Sequence, residues 1–270
     1  MPARPRARLD LELVRRGLVL TRAQAQQLVE AGRVSIDGAP ASKPATLVAV
    51  TSAIALTATG NRWASRGGYK LAGALDVLGV NVAGRRCLDA GASTGGFTDV
   101  LLQAGAARVV AVDVGYGQLA WRLRQDPRVV VCDRCNVRTM RAEDLPSPPP
   151  ELVVADLSFI SLRLVLPALR ACAEPTADHI LLVKPQFEAG PDLVGRGGVV
   201  RDPEVWRFAI AGVVETAVGL SLGLVGAAVS ELPGPAGNVE FFVHLAHGGV
   251  GGPDILDGAV EAGRRLTSGA

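Results

Sequence analysis

Lysine is the rare cation of this chain: of 28 Lys and Arg residues, only Lys43, Lys70 and Lys184 are lysine. Arginine stays protonated, whereas lysine gives up its proton when its surroundings disfavour the charge. Lysines kept in so Arg-rich a sequence are candidates for proton transfer. Lys184 closes the apolar run Ile180–Val183 in Lys184-Pro-Gln-Phe, and Asp156 closes Leu152–Ala155 in Asp156-Leu-Ser-Phe. Lys70 precedes Leu71, Ala74, Leu75 and Leu78, whose helical spacing puts it in or just before the first turn of a helix. A cation there opposes the helix dipole, which argues for a purpose other than stability. With Glu240, these residues make two amines and two carboxylates. Brought together, such a set could draw a proton from a weakly acidic hydroxyl and orient the base that takes it.

A second group suits a cofactor. Cys87-Leu-Asp-Ala90 reads as the end of a buried strand, and Gly91-Ala-Ser-Thr-Gly-Gly96 as a sharp turn into a helix beginning near Phe97. Glycine there permits unusual dihedrals and lets a ligand lie against the backbone. The turn is not Gly-x-Gly-x-x-Gly, because Ser93 holds the second glycine's place, where a pyrophosphate needs close approach; NAD chemistry is poorly supported. S-adenosylmethionine carries no phosphate, and Asp89 just before the turn suits its ammonium. Asp113, about 20 residues on at the end of Val109–Val112, stands where a carboxylate holds ribose hydroxyls. A sulfonium methyl is already activated for in-line displacement, so the remaining work is to position an acceptor and deprotonate it.

The elements that would carry these residues alternate. Val109–Val112, Val129–Cys132, Leu152–Ala155 and Ile180–Val183 read as buried strands, with helices at Gln118–Gln125 and Leu162–Ala173. The pattern predicts an α/β fold with a mostly parallel sheet covered on both faces. Asp89, Asp113, Asp133, Asp156 and Lys184 all fall at carboxyl ends of strands, where such sheets bind ligands. Gln186–Arg201 reads as a glycine-rich mobile loop, and Asp202-Pro203 as a helix start. Phe208–Val229 has Glu215 as its only charge and is long enough to raise a transmembrane reading. Gly219 and Gly223 argue instead for a helix that stops and a strand Leu224–Val229. A last strand, Val239–Leu245, carries Glu240; the tail from Gly248 allows a short helix near Leu256–Leu266.

The net charge of +2 over 270 residues conceals a basic head: residues 1–50 carry +4 and the rest −2. That head reads as two short helices, one from Leu9 to Gly17 and one, Ala23–Ala31, capped by Thr21 with Gln24 three residues on. A strand and turn at Val34–Gly38 and strands at Leu47–Val50 and Ala53–Leu56 follow, then a polar linker, Thr57–Asn61. Arg8, Arg15, Arg16, Arg22 and Arg33 make this module a candidate for binding nucleic acid. Four cysteines make no disulfide framework, and Cys132-Asp-Arg-Cys135 lacks the partners a zinc site needs, so no metal is expected. No apolar signal segment is visible at the N-terminus, which makes a cytoplasmic location the default.

The stretch LVRRGLVLTRAQAQQLVEAGRVSIDGAPASKP resembles the S4 RNA-binding fold. The set Lys70, Asp156, Lys184 and Glu240 resembles the tetrad of FtsJ-like 2′-O-methyltransferases, and with an S4-like head the chain is similar to the TlyA family. SRGGYKL, CLDAGASTGGFT, VVAVDVGYGQL, VVADLSFISL, LLVKPQFE and GPAGNVEFF carry the likeness over almost the whole length. It implies an S4-like domain at 1–60, a linker at 61–65, a Rossmann-like class I methyltransferase domain at 66–247 and a glycine-rich tail at 248–270. It implies methylation of cytidine 2′-hydroxyls in 16S and 23S ribosomal RNA, with ribosomal RNA or subunits as partners and no stable membrane insertion. The opening ARPRARLD resembles the longer form that modifies both subunits. Lys184 would be the general base, tuned by Lys70 and Asp156, with Glu240 ordering the pocket. Asp89, Gly91, Ser93, Gly95 and Phe97 would cradle the methionine end of S-adenosylmethionine, Asp113 its ribose, and Asp133 with Asn136 its adenine. Two readings of other classes stand beside this one. One is a membrane-active haemolysin, a name family members also carry; the other is a non-catalytic RNA-binding factor.

Overall fold

The computed structural model describes residues 6–19, 21–30, 32–56, 62–195 and 197–268, which leaves the polar segment 57–61 outside. The chain divides into two compact units, Met1–Arg62 and Trp63–Ala270.

The first unit packs two helices, α1 (Leu9–Arg15) and α2 (Arg22–Glu30), with short antiparallel strands. β1 (Arg6–Arg8) pairs with β4 (Leu47–Ala49), and β2 (Val34–Ile36) lies between β3 (Ala39–Pro40) and β5 (Ile54–Leu56). Leu9 and Leu13, one turn apart, meet Ala25, Val29, Val34 and Val48 in a small core. The cap before α2 forms as the sequence predicts, Gln24 N donating to Thr21 Oγ1 at 3.2 Å. β1 and β3, of three and two residues, are too short to show an alternating pattern in the sequence.

The second unit is a seven-stranded sheet in the order β11-β12-β10-β9-β6-β7-β8. β6 (Arg86–Ala90), β7 (Arg108–Asp113), β8 (Val129–Asp133), β9 (Leu152–Ala155) and β10 (Asp178–Val183) run parallel. β12 (Phe241–Ala246) is antiparallel to both β10 and β11 (Gly223–Val229). Alternation along the central strands sorts their side chains to two faces. Leu88, Val110, Val153 and Leu181 pack with α6 (Leu162–Ala171), α8 (Pro203–Val218) and α9 (Pro253–Ser268). Cys87, Val109, Val154 and Leu182 pack with α3 (Arg66–Val77), α4 (Gly96–Gln103) and α5 (Trp121–Arg124).

Two expectations change, and a third reading, the split of the apolar stretch after Asp202, holds. The expected mobile loop contains a short helix, α7 (Pro185–Glu188), and a turn of 3₁₀ helix, Pro191–Leu193. Beyond Arg196, which is outside the described residues, the buried Asn238 accepts from Val200 N at 2.9 Å and donates to Gly198 O at 2.8 Å. The glycine-rich end forms the sixteen-residue helix α9, with Leu256, Ala259 and Val260 in the core. The apolar stretch after Asp202 splits into α8 and β11, and among the described residues no helix is long and apolar enough to cross a membrane.

Candidate active site

From β6 the chain moves outward through β7 and β8, then crosses to β9 on the other side and continues through β10. Ligands of such sheets lie at that reversal, beyond the carboxyl ends of the strands. Gly91 follows β6 with φ +86°, and a Cβ there would lie 2.6 Å from the carbonyl oxygen of Asp156, which follows β9. The glycine turn therefore serves the chain's own packing as well as any ligand. Gly95 (φ +94°) makes the same point, because a Cβ on it would strike Leu119 and Leu123.

Two adjoining cavities open at this place. The first, about 310 Å³, is lined by Lys70, Asp156, Lys184, Arg66 and Phe97, among others. The second, about 520 Å³, has Asp113, Gln118, Asn136 and Phe159 in its wall. Gly91, Ser93, Asp156 and Ser158 line both.

The two lysines thus share a cavity, each against its own carboxylate. Lys70 Nζ donates to Glu240 Oε2 at 2.5 Å, and both side chains are buried. Lys70 is the fifth residue of α3, one turn further in than expected, because the helix begins at Arg66. Glu240 lies just before β12, and Gly234 packs on it so closely that a Cβ there would sit 2.4 Å from Glu240 Oε1. Lys184, at the exit of β10, places Nζ 2.6 Å from Asp156 Oδ1 and donates to Ser158 Oγ at 2.8 Å. The contact with Asp156 is an ion pair by distance without hydrogen-bond angles.

On the cofactor side, Asp89 is fully buried; its Oδ2 accepts from Thr98 Oγ1 at 2.6 Å while Oδ1 has no hydrogen-bond partner. Burial pushes its carboxyl up to about 7, against the pull of Thr98, and the Asp156 and Asp113 charges add to the rise. Asp113 accepts from Ser93 N at 2.8 Å and Gly115 N at 2.7 Å, while still facing the second cavity. Asn136 caps a short 3₁₀ turn by accepting from Arg138 N at 3.0 Å. Asp133 departs from expectation: its carboxylate takes Arg124 at 2.7 Å and, like Asp89 and Gly95, it is absent from the walls of both cavities.

Three residues that sequence reasoning passed over line the cavities, Arg66, Ser158 and Phe159, and a fourth, Glu188, braces the loop behind them. Phe159 is 91% exposed at φ +63°, with its ring 5.3 Å from that of Phe187. Glu188 is buried at the end of α7 and accepts from Ser161 Oγ at 2.5 Å and Leu162 N at 2.6 Å. It staples the segment after Lys184 to the start of α6, and so to the loop carrying Asp156 and Ser158. Burial raises its carboxyl, opposed by those two hydrogen bonds. The only hint of Ser158 in the sequence is its place two residues beyond Asp156.

In the first unit the candidate RNA-binding arginines surround two buried acids. Arg8 and Arg22 each reach Asp10 at 2.9 Å, and Arg15 reaches Glu12 at 2.6 Å, all three remaining partly exposed. Arg16 is spent inside the unit, on Glu12 at 2.7 Å and the carbonyls of Ser52 and Val50 at 2.7 and 2.8 Å. Arg33 is half-buried.

Comparison with known proteins matches residues 63–247 to the FtsJ-like methyltransferase family and residues 7–54 to the S4 domain. The chain is 58% identical to the 16S/23S rRNA (cytidine-2′-O)-methyltransferase TlyA of Mycobacterium tuberculosis, covering 89% of this chain and 90% of that one. It is 34% identical to Hemolysin A of Brachyspira hyodysenteriae, covering 88% and 99%. Among solved structures, a candidate hemolysin from Streptococcus thermophilus is 37% identical with a TM-score of 0.76, covering 99% and 98%.

Proposed function

The chain belongs to the TlyA family, FtsJ-like methyltransferases that carry an S4 domain, and from that membership we propose methyl transfer from S-adenosylmethionine to cytidine 2′-hydroxyls in 16S and 23S ribosomal RNA. One observation carries the chemistry: two of the chain's three lysines line one cavity, each against a carboxylate, beside a second cavity suited to a nucleoside.

The residues fit S-adenosylmethionine. Asp89 is fully buried behind the glycine turn and lines neither cavity, so its charge would act on the ammonium from beneath the turn that holds it. Gly91, Ser93 and Phe97 line the first cavity, where the methionine end would lie, and Asp113 with Asn136 would face its ribose and adenine in the second. Gly95 and Asp133 would support the turn from behind. When bound, S-adenosylmethionine supplies an electrophilic methyl.

The chain's own residues do the rest. Lys184 takes the proton of the ribose hydroxyl, and Asp156 with Ser158 holds the amine. Lys70, anchored by Glu240, brings a positive charge to the cavity where oxygen becomes anionic, which lowers the cost of that charge. The exposed Phe159 offers a face on which a base can stack, a common way to hold a nucleotide outside its helix. Arg8, Arg15 and Arg22, partly exposed and aligned by Asp10 and Glu12, suit phosphate contacts by the S4 domain.

The test is labelling of ribosomal RNA from radioactive S-adenosylmethionine, with the modified nucleotides mapped. The intact chain is expected to label cytidine ribose, and Lys184→Ala to lose about 10²–10⁴-fold in rate while staying folded. A fully active Lys184→Ala chain would refute the assigned base.

A further inference from the structure

We propose that Ser158 is a positioning residue that aims the amine of Lys184 at the acceptor hydroxyl. The inference rests on the methyl-transfer reading above and adds a residue outside the two lysine–carboxylate pairs.

Asp156 lies 2.6 Å from Lys184 Nζ, yet its Oδ1 is buried without a hydrogen-bond partner, so the pair attracts without directing. Among the described residues, the directed hydrogen bond on this amine goes to Ser158 Oγ at 2.8 Å. Charge attraction varies slowly with angle, whereas a hydrogen bond weakens steeply off its axis. Asp156 thus keeps the amine near, and Ser158 fixes which way it points.

The choice of a hydroxyl has its own logic. A base must present a lone pair, and a neutral amine has two N–H bonds and one lone pair. The hydrogen bond to Ser158 Oγ takes one N–H and so holds the lone pair off that axis, while Asp156 keeps the amine near without fixing its direction. A second carboxylate in place of Ser158 would also hold the amine, but its charge would bind the proton more tightly and oppose its release.

Ser158 is also well placed. It lines both cavities, at the boundary where donor and acceptor would meet. Its loop is fixed by the Glu188 staple at Ser161 and Leu162, so the hydroxyl is held in position beforehand. The side chain is exposed, so its loss opens no void in the core.

The experiment compares the full-length wild type with Ser158→Ala and Ser158→Thr, using ribosomal RNA and labelled S-adenosylmethionine. Ser158→Ala is expected to lower kcat about 10–100-fold, the cost of a misplaced catalytic group. KM for RNA, affinity for S-adenosylmethionine and melting temperature should stay at wild-type values, and Ser158→Thr should restore kcat to within a few-fold. An active wild type beside a Ser158→Ala chain of equal kcat, or one impaired only in KM, overturns the role of Ser158 alone. A wild type that transfers no methyl group overturns the reaction and this role with it.

Discussion

Lys70 and Glu240 stand 170 residues apart in the chain and meet at 2.5 Å, the amine 8% and the carboxylate 1% exposed. Removing two charges from water costs several kcal/mol, and their attraction repays it only while both are present. Lys70→Ala leaves Glu240 buried without its countercharge, which should cost about 3–5 kcal/mol. Replacing both, as Lys70→Met with Glu240→Leu, should recover most of that stability but no methyl transfer. Urea unfolding and the labelling assay separate the two effects. A double variant as unstable as the single would mean that the charges are not the source of the loss.

Much of this site could be read along the chain. Short continuous apolar runs, each closed by a charged residue, locate β6, β7, β8, β9 and β10, and with them Asp89, Asp113, Asp133, Asp156 and Lys184. Rarity located Lys70 and Lys184, because an Arg-rich sequence that keeps a lysine needs its different chemistry. What escaped was contact made across the fold. Nothing near Asp133 foretells that Arg124 occupies it, and nothing near Glu188 foretells that the start of α6 needs an acceptor. Gly91 and Gly95 read from the sequence as residues for unusual dihedrals and close ligand approach; their positive φ fits the first, and their missing Cβ atoms also make room for Asp156, Leu119 and Leu123, contacts no local pattern foretells. The helix near Leu256–Leu266 is legible, but its extension to Pro253–Ser268 and its docking are not, because its apolar stripe finds a partner only once the sheet exists.

Phe159 sets stability against substrate binding. At φ +63° a phenylalanine is strained, and at 91% exposure it gains little from packing, so the chain maintains an unfavourable conformation at the mouth of the cavities. Phe159→Gly relieves that strain, although glycine's added freedom in the unfolded chain offsets part of the gain. Melting temperature should therefore hold or rise. If the ring stacks on a base, affinity for RNA should fall by about 1–3 kcal/mol, roughly 5–150-fold in KM. Phe159→Tyr should keep affinity near wild type. Unchanged KM in the glycine variant would remove Phe159 from RNA recognition.

The first unit should be acid-sensitive through Glu12. Arg15 hydrogen-bonded to its carboxylate, together with Arg16, lowers its pKa from 4.5 to about 2 despite burial. A depressed folded value means that the unfolded chain binds the proton more readily between pH 4.5 and 2. The stabilisation is complete above that window and is lost as pH falls through it. Hydrogen exchange of the α1 amides, followed from pH 5 downward in the full chain, should speed up within the window. Glu12→Gln should weaken the unit at neutral pH and flatten its acid dependence. An unaltered acid profile in that variant would assign the sensitivity to Asp10, the other buried acid of the cluster.

Asp89 predicts a proton released when donor binds. Its carboxyl is lifted from 3.8 to about 7, chiefly by burial, so near neutrality a large share of the folded chain carries that proton. Because the folded value is raised, the folded chain keeps between pH 3.8 and about 7 a proton that the unfolded chain has lost, so stability falls across that window and levels above it. An ammonium bound in the cavity above the buried Asp89 favours the carboxylate, so binding and deprotonation should reinforce one another. Affinity for S-adenosylmethionine should therefore rise with pH up to about 7 and then level, with a proton entering the buffer at pH 6.5. Titration calorimetry in two buffers of different ionisation enthalpy measures that proton directly. Asp89→Asn should bind about tenfold or more weakly, as loss of a buried countercharge implies, and with little dependence on pH. Equal proton release from the Asn variant would place the ammonium elsewhere.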